Sequence, residues 1–136
     1  MSRNTITEVI GPGSQATSLN ARTELANNWK ADLFVSIHCN AFNTRAHGTE
    51  TLVYALNSDS AKVATRVQNA IVKKLNTLNR GIKERPDLAV LRKTTMPAIL
   101  VETAFIDHVT DHLLLKDKKQ EFAEAIFEGI TGQQAF

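Results

Sequence analysis

The sequence predicts an α/β domain of three layers, in which helices flank a mixed and largely parallel β-sheet. Strand-like segments alternate with segments of helical periodicity along the 136 residues, as they do in sheets covered by helices on both faces. Two strand segments, residues 33–37 and 98–101, are almost entirely apolar, which is typical of strands buried on both faces. The order β-α-β-β-α-β-β-α-α departs from a regular doubly wound pattern, so we expect a mixed sheet.

The first half of the chain is predicted to form three strands and one helix. Alternation of polar with apolar residues indicates the first and third strands, and a Gly-Pro-Gly turn ends the first of them. Thr17 or Ser18 can cap the helix through its hydroxyl group. The predicted elements are a strand at residues 5–10, a helix at 17–30, a buried strand at 33–38 and a strand at 49–55.

The second half is predicted to form three helices and two short strands. Apolar residues recur at helical spacing from Val63 to Leu78 after a cap at Ser58, and they mark the clearest helix in the chain. The sequence Asn-Arg-Gly at residues 79–81 is expected to end that helix, and an exposed loop is expected over residues 81–87. The remaining elements are a strand at 88–91, a strand at 98–102, a helix at 107–115 capped by Asp107, and a helix at 117–130.

Composition excludes several classes of protein. The chain is 43% apolar and 22% charged, as expected of a folded domain. Its net charge of +2 is too small to indicate a nucleic-acid partner, and its single cysteine permits no internal disulfide. No apolar run approaches the roughly 20 residues of a membrane span, and the first residues lack the apolar core of a signal peptide. We therefore expect one domain over residues 1–136, with no nucleic-acid partner and no membrane span.

His38 and Glu102 are the two residues whose positions suggest chemistry. Each ends an apolar strand segment, and ligands of open α/β sheets collect at the carboxyl ends of the strands. If the two strands are parallel neighbours, both side chains share one rim of the sheet. Apolar surroundings make a carboxylate costly and raise its pKa towards that of a general base. A histidine ligand with a glutamate base is the minimum set for metal-assisted hydrolysis, whereas a structural histidine and a salt-bridged glutamate are the alternatives.

Other candidate groups have simpler explanations. His108 and His112 lie four residues apart and, with Asp111, loosely match a zinc-protease pattern, but a solvated helix start explains them better. His47 lies in a polar loop and is expected to be exposed. Cys39 should point to the opposite face of the strand from His38. Four basic residues near the predicted strand at 88–91 face either an anionic substrate or solvent, namely Lys83, Arg85, Arg92 and Lys93.

Five stretches of the sequence carry the motifs of one known family, in family order and at similar spacing. They are residues 18–22 with 26–27, then 30–41, 47–51, 87–92 and 96–106. Among them are Ser-Ile-His-Cys-Asn-Ala, which contains His38, and Pro-Ala-Ile-Leu-Val-Glu, which ends at Glu102. In these stretches the chain closely resembles the catalytic domain of the zinc-dependent N-acetylmuramoyl-L-alanine amidases, a family of cell-wall hydrolases and phage lysins.

The resemblance implies that His38 is a zinc ligand and that Glu102 is the catalytic glutamate. The reaction would be hydrolysis of the amide between the lactyl group of N-acetylmuramic acid and L-alanine, by water that zinc activates and Glu102 deprotonates. Asn40 and Arg92 are expected to bind substrate, and peptidoglycan is the expected partner. The expected location is the cell wall or periplasm for an autolysin, or the host cytoplasm and then the cell wall for a phage lysin.

Two of the three zinc ligands that the resemblance implies are not found in this sequence. Family members carry a histidine in a glycine-rich loop and a glutamate on a helix, before the part that corresponds to residues 5–10. No histidine precedes His38, so the sheet is expected to lack the family's first strand and helix. The edge left exposed would suit self-association. The chain is then a truncated member, a member completed by another chain, or an inactive relative that binds peptidoglycan or a partner; a metal site rebuilt with His47 or His108 is a further alternative.

Overall fold

The computed structural model describes residues 15–134 of the chain. In chain order, the elements are α1 (Gln15–Trp29), β1 (Phe34–Asn40), β2 (Thr49–Val53), α2 (Asp59–Leu75), β3 (Asn79–Glu84), α3 (Ala89–Arg92), β4 (Ala98–Phe105), α4 (Val109–Asp117) and α5 (Lys119–Thr131). Within the described range, none of these helices has the length and apolar character needed to cross a membrane.

The strands form a mixed sheet in the order β1-β4-β2-β3. β1 is parallel to β4 and β2 is parallel to β3, whereas β2 and β4 are antiparallel. Chain connectivity explains this pattern. A loop of eight residues joins β1 to β2, which is too short for the crossover that a parallel strand needs, so β2 runs opposite to β1. α2 supplies a crossover between β2 and β3, and those two strands are parallel. The prediction of a mixed, largely parallel sheet is confirmed.

Helices cover both faces of the sheet, as the sequence predicts for a three-layer domain. On one side, which we call the α2 face, Val53, Ile99 and Val101 pack against α2 and α5 in the larger core. On the other side, the α3 face, Leu52 and Leu100 pack against α3, with part of α1 alongside. Because the side chains of neighbouring strand residues point in alternate directions, β2 and β4 each contribute residues to both cores. The second core covers only one end of the α3 face.

The packing of α2 against α5 forms the centre of the larger core. Ser58 caps α2 by accepting a hydrogen bond from the backbone N–H of Ala61, as the sequence predicts. Gly129 of α5 lies directly against the backbone of Val67, where an added Cβ would be 2.7 Å from the Val67 nitrogen. The absence of a side chain at Gly129 therefore permits the close approach of the two helices.

Residues 76–91 depart most from the sequence prediction. α2 ends at Leu75, and Asn76 adopts a left-handed conformation (φ 56°) after it, so residues 79–81 do not end the helix. They begin β3 instead of a loop. Ile82 alone of this strand packs into the α2-face core, and pairing with β2 defines the strand. Residues 88–91 were expected to form a strand but contribute to the short helix α3, whose consecutive buried residues do not follow strand alternation.

The strand that contains His38 is less buried than its apolar sequence predicts. Among the described residues β1 pairs with β4 alone, and Ile37 is 59% exposed. β4 in turn continues to Phe105, so Glu102 lies inside the strand and not at its end. The strand predicted at residues 5–10 lies outside the described range.

Two predicted helix caps are also wrong. α1 begins at Gln15, so Thr17 and Ser18 lie within the helix. The N-cap of α4 is His108, whose ring accepts a hydrogen bond from the backbone N–H of Asp111. Asp107 instead accepts hydrogen bonds from two backbone N–H groups of the β1–β2 loop. The carboxylate one residue before the helix therefore anchors a loop.

Candidate active site

Three ionisable side chains form a row across the sheet on the α3 face. His38 of β1 is the Cα partner of Glu102 in β4, and Glu50 of β2 is the Cα partner of the same Glu102. Partners in neighbouring strands point to the same face, and Leu52 and Leu100, two positions away in β2 and β4, lie in the α3-face core. The row thus lies beyond the end of that core, where α3 no longer covers the sheet. Parallel pairing brings His38 and Glu102 together, as the sequence predicts.

Glu102 occupies the middle of the row and is half-buried. Its Oε2 atom is inaccessible to solvent and has no hydrogen-bond partner among the described residues. Burial raises the pKa of the Glu102 carboxyl group, the negative charge of Glu50 raises it further, and the positive charge of Arg85 partly opposes the shift. A carboxyl group with these properties can accept and release a proton nearer neutral pH than an exposed glutamate can.

His38 lies at the β1 end of the row. Its Nε2 atom is 2.8 Å from the hydroxyl group of Ser36, and the Thr103 hydroxyl group donates to the His38 carbonyl oxygen at 2.9 Å. The side chain is solvent accessible, yet surrounding atoms remove enough water from the ring to lower the pKa of His38, and the positive charge of Arg22 lowers it further. The neutral imidazole is therefore favoured, and that is the form that binds metal ions.

Glu50 is the member of the row that sequence reasoning missed. Its Oε1 atom accepts from the Asn40 amide at 2.9 Å, and its Oε2 atom accepts from Arg80 Nε at 3.3 Å. Since β4 separates β1 from β2, the Asn40–Glu50 bond crosses over β4 beside Glu102. Asn40, predicted to bind substrate, thus uses its amide to hold Glu50. The available signal was alternation, because Thr49 and Thr51 on either side of Glu50 face the α2 core.

The predicted basic residues divide into two groups. Lys83 and Arg85 lie near the row, since Lys83 Nζ is 3.9 Å from Glu50 Oε2 and the charge of Arg85 acts on both Glu50 and Glu102. Arg92 donates to the carbonyl oxygen of Asp87 at 2.9 Å, and Lys93 donates to an asparagine of α1. Arg92 and Lys93 therefore support loops and helices at the edge of this face.

The histidines outside the row have structural contacts. His47 is exposed, as predicted, and its ring stacks on that of His108 with 4.7 Å between centroids. His112 lies on α4 with its Nδ1 atom 3.1 Å from the Ile106 carbonyl oxygen. Asp111 is not solvated as expected: it is buried and accepts from the backbone N–H groups of Gly48 and Phe105 at 2.8 and 2.9 Å. The zinc-protease pattern is thus explained by the anchoring of the β1–β2 loop.

His38 and Glu102 would fit part of a catalytic metal site. A neutral imidazole at His38 fits one ligand position, and the Oε2 atom of Glu102 fits a base beside it. Catalytic zinc requires three protein ligands, and residues 15–134 contain no group of three or more His, Cys, Asp or Glu side chains that could hold a metal ion. A site rebuilt from His38 with His47 or His108 is therefore not formed within the described range.

Comparison with known proteins gives a consistent result. The sequence pattern of a family described as N-acetylmuramoyl-L-alanine amidase matches residues 1–132. An uncharacterised cell wall amidase of Bacillus anthracis is 42% identical over 88% of this chain and 24% of its own length. An endolysin of Bacillus phage SPP1 is 41% identical over 79% of this chain and 41% of its own. The crystal structure of an N-acetylmuramoyl-L-alanine amidase from Clostridium difficile 630 superposes with a TM-score of 0.78 at 37% identity, over 84% of this chain and 63% of that one. The chain thus spans less than half of these two relatives and under two thirds of the solved chain.

Proposed function

The chain belongs to the N-acetylmuramoyl-L-alanine amidase family, and we propose that the row on the α3 face is part of the active site of a peptidoglycan hydrolase. The bond cleaved would be the amide between the lactyl group of N-acetylmuramic acid and L-alanine. Residues 1–136 would form the larger part of one catalytic domain. The observation that carries the proposal is the register pairing of His38 with Glu102.

Glu102 is proposed as the general base. Its Oε2 atom has no hydrogen-bond partner among the described residues, so no donor of the fold competes there for the half-buried carboxyl group, which would take a proton from the attacking water. The raised pKa of Glu102 also lets the protonated carboxyl group pass that proton to the leaving amine, which must be protonated to depart. A carboxylate with an ordinary pKa would be a weaker base and would hold the proton less well.

His38 is proposed as the metal ligand of this chain. Its lowered pKa keeps the imidazole neutral, and the Ser36 hydroxyl group can orient the ring. Zinc, when bound, supplies a Lewis acid that polarises the scissile carbonyl and acidifies water. Because residues 15–134 contain one such ligand beside Glu102 and no three-ligand group, we propose that the other ligands lie outside that range or on another polypeptide.

The proposed substrate and location are those that the relatives' descriptions support. A relative described as a cell wall amidase and another described as an endolysin support peptidoglycan as the substrate and the cell wall as the place of action. Asn40 and Arg92 remain proposed substrate contacts. Asn40 would contact the substrate while its amide donates a hydrogen bond to Glu50, and Arg92 would contact the substrate from the end of α3.

A non-catalytic role in peptidoglycan binding is the second candidate. The observation in its favour is the incomplete ligand set among the described residues. Under this alternative the row on the α3 face would bind cell-wall fragments without cleaving them, and His38 would hold no stoichiometric zinc.

The deciding experiment measures release of free amino groups from purified peptidoglycan by the folded chain, with and without added zinc. We expect zinc-dependent release when the part of the protein that supplies the remaining ligands is present, and Glu102→Gln should reduce its rate about 100- to 10,000-fold, because a general base contributes that much. Glu121→Gln, on α5 at the opposite face, is the matched control and should retain the rate. His38→Ala should lower both zinc content and rate, whereas Glu102→Gln should leave zinc content unchanged. Binding of peptidoglycan without release of amine, with zinc added and with the remaining ligands supplied, would establish the second candidate instead.

A further inference from the structure

Positive side chains border the row on the side away from His38. Arg80, Lys83 and Arg85, which we call the β3 cations, lie on β3 or just after it. Arg80 and Lys83 approach Glu50 to 3.3 and 3.9 Å, and the charge of Arg85 acts on Glu50 and Glu102. A ligand held over Glu102 would therefore meet positive charge where it crosses β2 and β3.

Two of the β3 cations, Arg80 and Arg85, already have hydrogen-bond partners. Arg80 donates to Glu50 and to the His47 carbonyl oxygen, and its guanidinium group lies 5.0 Å from the centroid of the Phe105 ring. Arg85 makes a bidentate contact with Asp87, at 2.9 and 2.8 Å. Both guanidinium groups are thus engaged by neighbouring side chains on the α3 face.

Lys83 is different. Its ion pair with Glu50, with 3.9 Å between Nζ and Oε2, is longer than a hydrogen bond, its side chain is 48% exposed, and its ammonium group makes no hydrogen bond within the described residues. Lys83 pairs with Leu52 in the parallel register, so it extends from the same face as Glu50 and Glu102. The ammonium group therefore has donors available for a ligand on this face.

The dimensions fit a peptide that begins at Glu102. β4 and β3 are two strand spacings apart, or about 10 Å. An extended peptide advances about 3.5 Å per residue, so the residue after the one that supplies the scissile nitrogen spans about 3.5 to 7 Å from the cleaved bond. A carboxylate on that residue would come within reach of the long Lys83 side chain.

The two sides of the substrate differ in charge. On the carbonyl side, the lactyl group of N-acetylmuramic acid is an amide and carries no charge. On the amine side, the stem peptide beyond L-alanine carries free carboxylate groups. On the β3 side of the row lies the ammonium group of Lys83, which has no hydrogen-bond partner among the described residues. On the β1 side, the nearby positive charge is that of Arg22, which acts on His38.

We propose that Lys83 binds a stem-peptide carboxylate, so that the peptide crosses β2 and β3 while the muramoyl group lies towards β1. This inference rests on the proposed function of the same face. It makes Lys83 a residue that determines specificity for acidic stem peptides, and it assigns a direction to the substrate.

The test compares two soluble probes that differ only in charge. One is N-acetylmuramoyl-L-alanyl-D-glutamic acid, and the other is the same molecule with both glutamate carboxyl groups amidated. Dissociation constants are measured with the full chain by NMR titration, in the Glu102→Gln background if the wild-type chain cleaves the probes. We expect the acid to bind on the order of tenfold more tightly, the size of one charge-assisted hydrogen bond.

Substitutions then assign the preference to a residue. Lys83→Gln should reduce the ratio of the two constants to about one, and Lys83→Arg should retain most of it, because both lysine and arginine bind carboxylates. Lys73→Gln, on the exposed side of α2, is the matched control and should leave the ratio unchanged. Circular dichroism confirms that each variant is folded.

Three outcomes would overturn the inference. The first is equal binding of the two probes, and the second is no binding of either probe. The third is a preference for the acid that Arg22→Gln abolishes and Lys83→Gln does not, because that result would place the peptide at the β1 end. The outcomes are separable from failure of the proposed function. A charge preference that depends on Lys83 in a chain that cleaves nothing would support this inference while refuting hydrolysis, and cleavage without a charge preference would do the reverse.

Discussion

Glu50 and Glu102 are Cα partners in the antiparallel pair of β2 and β4, so two carboxylates lie side by side on one face of the sheet. Their surroundings differ. Glu50 accepts hydrogen bonds from Asn40 and Arg80, whereas the Oε2 atom of Glu102 has no partner among the described residues. When neighbouring carboxylates have different environments, one stays ionised and the other is suited to proton transfer. Under the proposed function, this arrangement gives Glu50 the structural role and Glu102 the proton-transfer role.

Glu50→Gln should lower the pKa of Glu102. The negative charge of Glu50 is the second cause of the raised value, and the amide removes it while keeping similar volume. Because burial is the larger cause, the pKa of Glu102 should fall without reaching its ordinary value. The measurement is the carboxyl ¹³C shift of Glu102 as a function of pH, with Glu121→Gln as the control. An unchanged midpoint in Glu50→Gln would show that the two carboxylates do not interact.

Glu102→Gln should change how stability depends on pH. The pKa of Glu102 is raised above the ordinary value of 4.5, so the folded state holds this proton to higher pH than the unfolded state does. The free energy of unfolding therefore declines as pH rises from the unfolded pKa through the folded pKa. Because Gln cannot ionise, the Tm of the variant should rise relative to that of wild type as the pH increases over this range. Thermal unfolding at a series of pH values tests this, and a Tm difference independent of pH would contradict it.

Asp111→Ala should destabilise the fold. The Asp111 side chain is buried and accepts from the backbone N–H groups of Gly48 and Phe105. Its removal leaves two donors without their acceptor, at a cost of about 3 kcal/mol in the free energy of unfolding. Asp117→Ala, at the exposed end of α4, should change the same quantity by less than about 0.5 kcal/mol. Urea denaturation measures both, and equal values for the two variants would exclude the anchoring role of Asp111.

Gly129→Ala should also destabilise, against the expectation from helix propensity. Propensity alone favours Ala over Gly by about 1 kcal/mol inside a helix. At Gly129, however, the new Cβ would meet the backbone of Val67, and overpacking of this kind costs about 1–3 kcal/mol. Denaturation of the variant should give a lower midpoint than wild type. A higher midpoint would show that α2 and α5 can separate without penalty.

The sequence is sufficient to predict the elements whose residue pattern is complete within the element itself. β4 follows from its apolar run and α2 from its helical spacing and the Ser58 cap, and both lie close to their predicted positions. The pairing of His38 with Glu102 could be anticipated because both follow apolar segments that pair in parallel.

The elements that were missed depend on tertiary contacts. β3 contains a single large apolar residue, Ile82, and its strand conformation comes from hydrogen bonds to β2. Residues 88–91 are a short apolar run, and such a run does not distinguish a strand from a buried helix by periodicity. Alternation along β2 places Glu50 on the opposite face of the sheet from Thr49 and Thr51, but the β2–β4 register was needed to place it beside Glu102.

Cys39 follows His38 directly, and alternation along β1 turns its thiol towards the opposite face of the sheet. It is the one cysteine in the sequence and it is exposed. A thiol-reactive fluorophore or spin label would therefore attach at a single position, one residue from the metal-ligand candidate but on the far side of the strand from the substrate. The wild-type sequence thus already provides a spectroscopic reporter for the β1 edge of the sheet.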